Sequence, residues 1–330
     1  MSYNSGLELP KVAFSEITYS LIPLGSFFVG FDLDNEGKLS KIDSTGTITV
    51  IEGGGPSLYD YGKGTCSTVR TDGSNTSSGC YSAVLSGKNN TASNRYATVA
   101  GGINNTASGQ YGATVGGGRL NTASGSRSTV SGGYHNTASG YYSTVSGGYF
   151  NTASGSRSTV SGGYQNNATG NYSNNSGGYS NIASGYTSTI SGGIGNTASG
   201  DYSTISGGYN NISSGNSSTV SGGRQNTASG YTSTISGGIC NTASGDYATV
   251  SGGYFNTASG YYSAILGGRD NNTNLLPYTM ILGSCITANQ ACTTYVNNIS
   301  VTEMCTCSAL PAQYGLYYDT TTCQVYYKPL

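Results

Sequence analysis

Tyrosine offers the most chemistry in this chain. Tyr141, Tyr142, Tyr186, Tyr202, Tyr231, Tyr247, Tyr261 and Tyr262 fall at two adjacent positions of a recurring pattern. A row of phenol rings can stack on sugar rings while neighbouring Ser and Thr hydroxyls hydrogen-bond the same ligand. The same row would equally serve to cover glycine corners or to pack between copies of the chain. Arg127 and Arg157 lie beside it and either meet anionic glycans or keep the surface soluble. Catalytic groups are scarce. The single His, His135, gives no basis for a Ser-His-Asp arrangement. Asp201 and Asp246 share a position but stand three repeats apart, about 14 Å at ~4.8 Å per strand spacing, too far for a glycosidase pair. The glycine runs sit in no βαβ unit, and the regular Asp of calcium-binding rolls is missing. The expectation is therefore no enzyme, no cofactor and no metal.

These side chains must be held by a repeat. Asn136 to Phe150 reads N-T-A-S-G-Y-Y-S-T-V-S-G-G-Y-F, and from Asn121 to Asn256 the leading Asn recurs every fifteen residues. The frame runs back through Asn105, Asn90 and Asn75, with one extra residue within Gln110–Gly118. A fixed short period is the mark of a solenoid, each unit stacking on its neighbours. Each unit holds two similar halves, T-A-S-G and T-V-S-G. Side chains alternate across a strand, so Ala138 and Val145 point in while Thr137, Ser139, Thr144 and Ser146 point out. Glycines are expected at the corners, where positive φ or a cramped backbone is needed. The fold class is all-β: a β-solenoid, β-helix or β-roll, with two short strands per turn.

Helix is excluded by the glycines and β-branched residues. Disorder would suit the low charge and hydropathy, yet the columns stay in phase. The Val145 column holds Val or Ile with one exception, Asn175, and the Ala138 column holds Ala or Ser. The Asn136 column is the third constant. It is either an amide ladder along the axis or a turn residue tolerant of left-handed backbone. Asn175, an amide where an aliphatic belongs, is a polar plug, a water or ion site, or simple tolerance, and tolerance is expected.

One aliphatic and one Ala per turn make a thin core, and lateral packing of identical solenoids would add contact area. Tyr134, Tyr149, Tyr164, Ile194, Tyr209, Ile239 and Tyr254, interrupted by Arg119, Arg224 and Arg269, suit that role. The units resemble the Hep/Hag-type head repeats of trimeric autotransporter adhesins over about two thirds of the chain, and that resemblance implies a homotrimer of parallel β-rolls. A secretion signal, heptad stalk and membrane anchor of that family are not seen, which shifts the expectation towards a phage or large-virus fibre.

The three regions expected are residues 1–55, 56–283 and 284–330. The first carries seven of the 14 acidic residues. Phe27–Asp32, Lys38–Ile42 and Thr45–Ile51 alternate like strands of a small meander, with hairpin turns at Asp34–Gly37 and Asp43–Gly46. It would cap the shaft or join it to other virion proteins. Cys66 and Cys80 fall one repeat apart and are candidates for a disulfide or for free thiols. The half unit Tyr278–Gly283 carries larger residues and suggests a widening core. The last region holds five of the eight Cys and reads as a disulfide-bonded tip, with strands at Thr293–Ile299 and Gln324–Lys328.

Charged residues make up 8% of the chain and the net charge is −1, which argues against nucleic acid or an anionic membrane as partner. The function expected first is a structural fibre of a virus particle, a trimeric rod at the virion surface for display or attachment, cell-surface glycan being a possible partner. The alternatives are a secreted or surface bacterial adhesin, and an ice-binding solenoid. The last is suggested by the T-x-S ladders, which are similar to the T-x-T faces of fifteen-residue antifreeze β-helices.

Overall fold

The computed structural model describes residues 62–69 and 74–297 in full, together with the backbone of residues 59–61 and 70 and of strands within 11–50 and 315–328. Its body is a parallel β-solenoid with no helix. One coil serves for all. Asn136 starts it; Thr137–Ala138 forms a strand on one flat face and Thr144–Val145 a strand on the other. We call these the Ala face and the Val face after the residues beneath them. Successive coils pair in parallel and in register, Ala138 on Ala153 and Val145 on Val160. The Ala face is a thirteen-stranded sheet. The Val face runs from Tyr59–Tyr61 and Thr68–Arg70 to Thr294–Val296 as an open ladder.

Alternation puts Ala138 and Val145 wholly inside, as expected. Burying each Val or Ile contributes about 1.5–3 kcal/mol. Backbone hydrogen bonds do the rest of the stacking: Thr137 and Thr144 donate to the carbonyls of Asn151 and Ser158 at 2.8 and 2.9 Å. Asn175 is also fully buried and divides the apolar core into two clusters, one ending at Ala168 and one starting at Ala183. Its amide is not orphaned, donating to the carbonyl of Asn181 at 2.9 Å. It is a hydrogen-bonded polar plug.

The corners hold the expected positive-φ and cramped glycines, but not at their tips. Both tips of the coil carry left-handed backbone at bulky residues, Tyr142 at φ 55° and Phe150 at φ 57°. The glycines flank the tips. Gly148 has φ 88°, and a Cβ there would collide with the backbone oxygen of Gly163. Gly140 needs no positive φ; its Cβ would strike the oxygen of Gly155 in the next coil. Glycine is required chiefly because coils approach closely. The extra residue near Gln110 is absorbed at the first tip, where Gly112 at φ 94° follows Tyr111.

The Asn column also differs from both expected forms. Asn136 Oδ1 accepts from the backbone N–H of Asn151 at 2.9 Å, and Asn151 Nδ2 donates to Gly147 and Gly163 carbonyls, both at 2.9 Å. The amides bond to backbone, coil after coil, rather than to one another. Asn271 alone among the described residues adds an amide–amide bond, to Asn256 at 2.9 Å. Each Asn therefore satisfies buried groups at the second tip that no strand partner could reach.

Stacking continues past Gly283. Met280–Leu282 pairs with Ala264–Ile265 and with Thr294–Val296. The larger residues do not widen the core: Ile281 is buried, while Met280 and Leu282 face out. Near the start of the chain, Phe27–Asp32, Lys38–Asp43 and Ile48–Val50 form the expected antiparallel meander, with Lys11–Val12 parallel to its first strand. Of the expected turns, only Asp43 falls within the described residues. Gly315–Asp319 and Gln324–Lys328 form a hairpin. Cys305, Cys307 and Cys323 lie outside the described residues.

Candidate functional surfaces

The coil exposes two faces and two edges. The Val face is the most regular. From Thr129 to Thr249 its first outward column is Thr at every coil except Asn174, and its second column, Ser131 to Ser251, is Ser throughout. The Thr side chains are half-buried and the Ser side chains exposed. Nine coils at ~4.8 Å give a strip about 38 Å long. A β-branched side chain is stiff at χ1, so the Thr hydroxyls and methyls are held in repeating positions. The Ala face carries the same T-x-S rhythm from Thr76 to Ser154. It is then broken by Asn167, Ile182 and Ile212, and a shallow depression lined by Phe150, Gln165, Asn167, Ser180 and Ile182 opens beside the break.

The first edge carries the eight tyrosines anticipated as a ligand row. All are exposed except the half-buried Tyr247. They fall into groups instead of one row. Tyr141 meets Tyr142 edge-on at 4.4 Å, Tyr186 meets Tyr202 at 5.6 Å, and Tyr231, Tyr247, Tyr261 and Tyr262 cluster together. Thr187, Asn216 and Ser217 interrupt them. In the last cluster Tyr247 and Tyr262 are stacked at 4.5 Å and 4°. Ring faces turned to neighbouring rings leave mainly hydroxyls and ring edges for a ligand. Lost hydration, and then repulsion from neighbouring phenolates, pushes the Tyr247 and Tyr261 hydroxyls above the ordinary phenol range.

On the second edge Tyr134, Tyr149, Tyr164 and Tyr179 form a stack at 4.7, 5.2 and 5.2 Å. Tyr134, Tyr149 and Tyr164, anticipated as contacts between copies, stack on one another along the axis, and Tyr179 extends the stack. Asp201 and Asp246 have a structural use that their spacing did not reveal. Each accepts the backbone N–H one coil earlier, of Tyr186 and Tyr231, at 2.9 Å. Of the two forms open to Cys66 and Cys80, the structure has exposed free thiols, and Cys285 and Cys292 are likewise free. Among the described residues no three His, Cys, Asp or Glu side chains come together.

What the surfaces provide is hydroxyl and aromatic chemistry repeated coil after coil along the solenoid. Residues 63–162 match the model of the grass antifreeze β-roll family. The matched span is under a third of the chain and includes the unbroken part of the Ala face and the first three coils of the regular Val face. No curated protein matches the chain. The expectations of a viral fibre and of adhesin-type head repeats gain no support from this comparison.

Proposed function

We propose that this protein is a non-catalytic, extracellular ice-binding rod whose Val face orders water in a lattice. The observation that carries the reading is the in-register double ladder of Thr and Ser from Thr129 to Ser251. Stiff Thr methyls interrupt the water layer while Thr and Ser hydroxyls anchor it, so waters bridging successive coils repeat with the coil. The rigid backbone means little ordering entropy remains to be lost on binding. The similarity of residues 63–162 to an antifreeze β-roll family agrees with this reading. The test is thermal hysteresis and partition into growing ice by the full-length chain. Hysteresis with faceted crystals is expected; none, with the solenoid folded, rejects ice binding.

A second reading is favoured by the exposed aromatic edges. Tyr209, Tyr254 and Ile239 stand exposed on the second edge with Arg224 between them, and three such edges packed together would make a homotrimeric rod for display or attachment at a virion surface. A trimeric solution mass together with no hysteresis would favour it.

A further inference from the structure

The first edge holds an alternating column that neither reading uses: Tyr111, Arg127, Tyr142, Arg157 and Tyr172, on five successive coils. The Arg127 guanidinium lies 5.9 Å from the Tyr111 ring and 5.1 Å from Tyr142; that of Arg157 lies 5.8 Å from Tyr142 and 5.3 Å from Tyr172. Arg127 also donates to the Tyr142 hydroxyl, and Arg157 to that of Tyr172. Cation–π contact and these bonds hold both side chains upright on an exposed edge.

Among the described residues nothing acidic neutralises them. Residues 73–200 contain Lys88, Arg95, Arg119, Arg127 and Arg157 but no Asp or Glu, although the chain as a whole has a net charge of −1. A guanidinium has five N–H donors in a planar fork. Those not engaged with Tyr141 and Tyr142, or with Tyr172, have no acceptor among the described residues, and both side chains are exposed. The two forks stand two coils apart, about 10 Å. We infer that this edge binds a linear anionic polysaccharide, its sulfate or carboxylate groups taken by Arg127 and Arg157 and its hydroxyls by the intervening phenols. Charge placed on alternate sugars suits cations placed on alternate coils. Single-stranded nucleic acid fits less well, because base stacking needs open ring faces and here guanidiniums cover them.

The test uses the full chain against immobilised dextran sulfate, polygalacturonate and unmodified dextran. Binding to at least one of the two polyanions is expected, weakening as salt rises, with dextran not bound; which polyanion binds identifies the anionic group. R127Q/R157Q is expected to lose tenfold or more in affinity with an unchanged melting temperature. R224Q/R269Q, on the other edge, should bind as the wild type does. The proposal is overturned if neither polyanion binds, if dextran binds equally, if R127Q/R157Q binds normally, or if single-stranded DNA binds as well as dextran sulfate. Ice activity is read separately, so failure here leaves the Val-face reading untouched.

Discussion

The two faces of the solenoid are built by one rule, yet they differ. On the Ala face outward Thr gives way to Ile at Ile182 and Ile212, and to Asn at Asn167. The strands there pair normally, Ile182 with Thr197 and Ile212 with Thr227. A β-branched residue is what a short strand wants, and Ile meets that need as well as Thr. On the Val face no aliphatic replaces Thr or Ser between Thr129 and Ser251. Even where the core changes to Asn175, the outward neighbours remain polar, Asn174 and Ser176. Pairing alone would accept Val or Ile there. Over these nine coils the hydroxyls exceed what strand pairing requires, whereas Leu85, Ala100 and Leu266 take the same outward column elsewhere on that face; the ice-binding proposal rests on this stretch.

The comparison can be broken from the inside. Ile205 is among the largest fully buried side chains and lies under the Val face. Ile205→Ala is expected to destabilise by about 2–5 kcal/mol, seen as a lower denaturant midpoint. A similar loss from Ala198→Gly under the Ala face would show the two sheets to be equally dependent on their inward columns. A smaller loss should follow Asn151→Ala. It orphans the backbone N–H of Asn166 and frees the Gly147 and Gly163 carbonyls of their amide partner. The cost is about 1–3 kcal/mol, measurable as faster hydrogen exchange at the second tip of neighbouring coils.

Asn175→Val should act in the opposite direction. It joins the two apolar clusters, and the Asn181 carbonyl keeps its bond from the Asn167 N–H. A gain of about 0.5–2 kcal/mol in thermal unfolding is expected. The smallest effect belongs to Ser143→Ala. The Ser143 hydroxyl is buried without a partner, and Ala97, Ala113 and Ala248 occupy the same column. A change within roughly 0.5 kcal/mol is expected.

Much of this architecture was legible in the repeat. The Val and Ala columns stand at strand spacing, and inward and outward sides follow from alternation alone. Asn136 was legible as a constant but not as a ligand for backbone, because its partners lie four residues back, and twelve and fifteen ahead, positions that meet only once the coil closes. Tyr142 and Phe150 hid their left-handed backbone, since adjacent glycines were the natural choice for it. The glycine rhythm stops at Gly283, the expected end of the shaft, yet Thr294–Val296 keeps the pairing beyond it, which no spacing announced. The surface was harder still. Tyrosine positions could be read, but whether rings face outward or face each other depends on side-chain rotation that no spacing encodes.

The most direct test of a working Val face compares two double variants with the wild type. T189Y/T204Y places bulky rings on the Val face, and T197Y/T227Y places them on the Ala face. All four positions are outward and half-buried, so both proteins should fold with melting temperatures close to that of the wild type. Thermal hysteresis is predicted to be abolished in T189Y/T204Y and largely retained in T197Y/T227Y. Equal activity in the two folded variants, or the reverse order, would contradict the assignment.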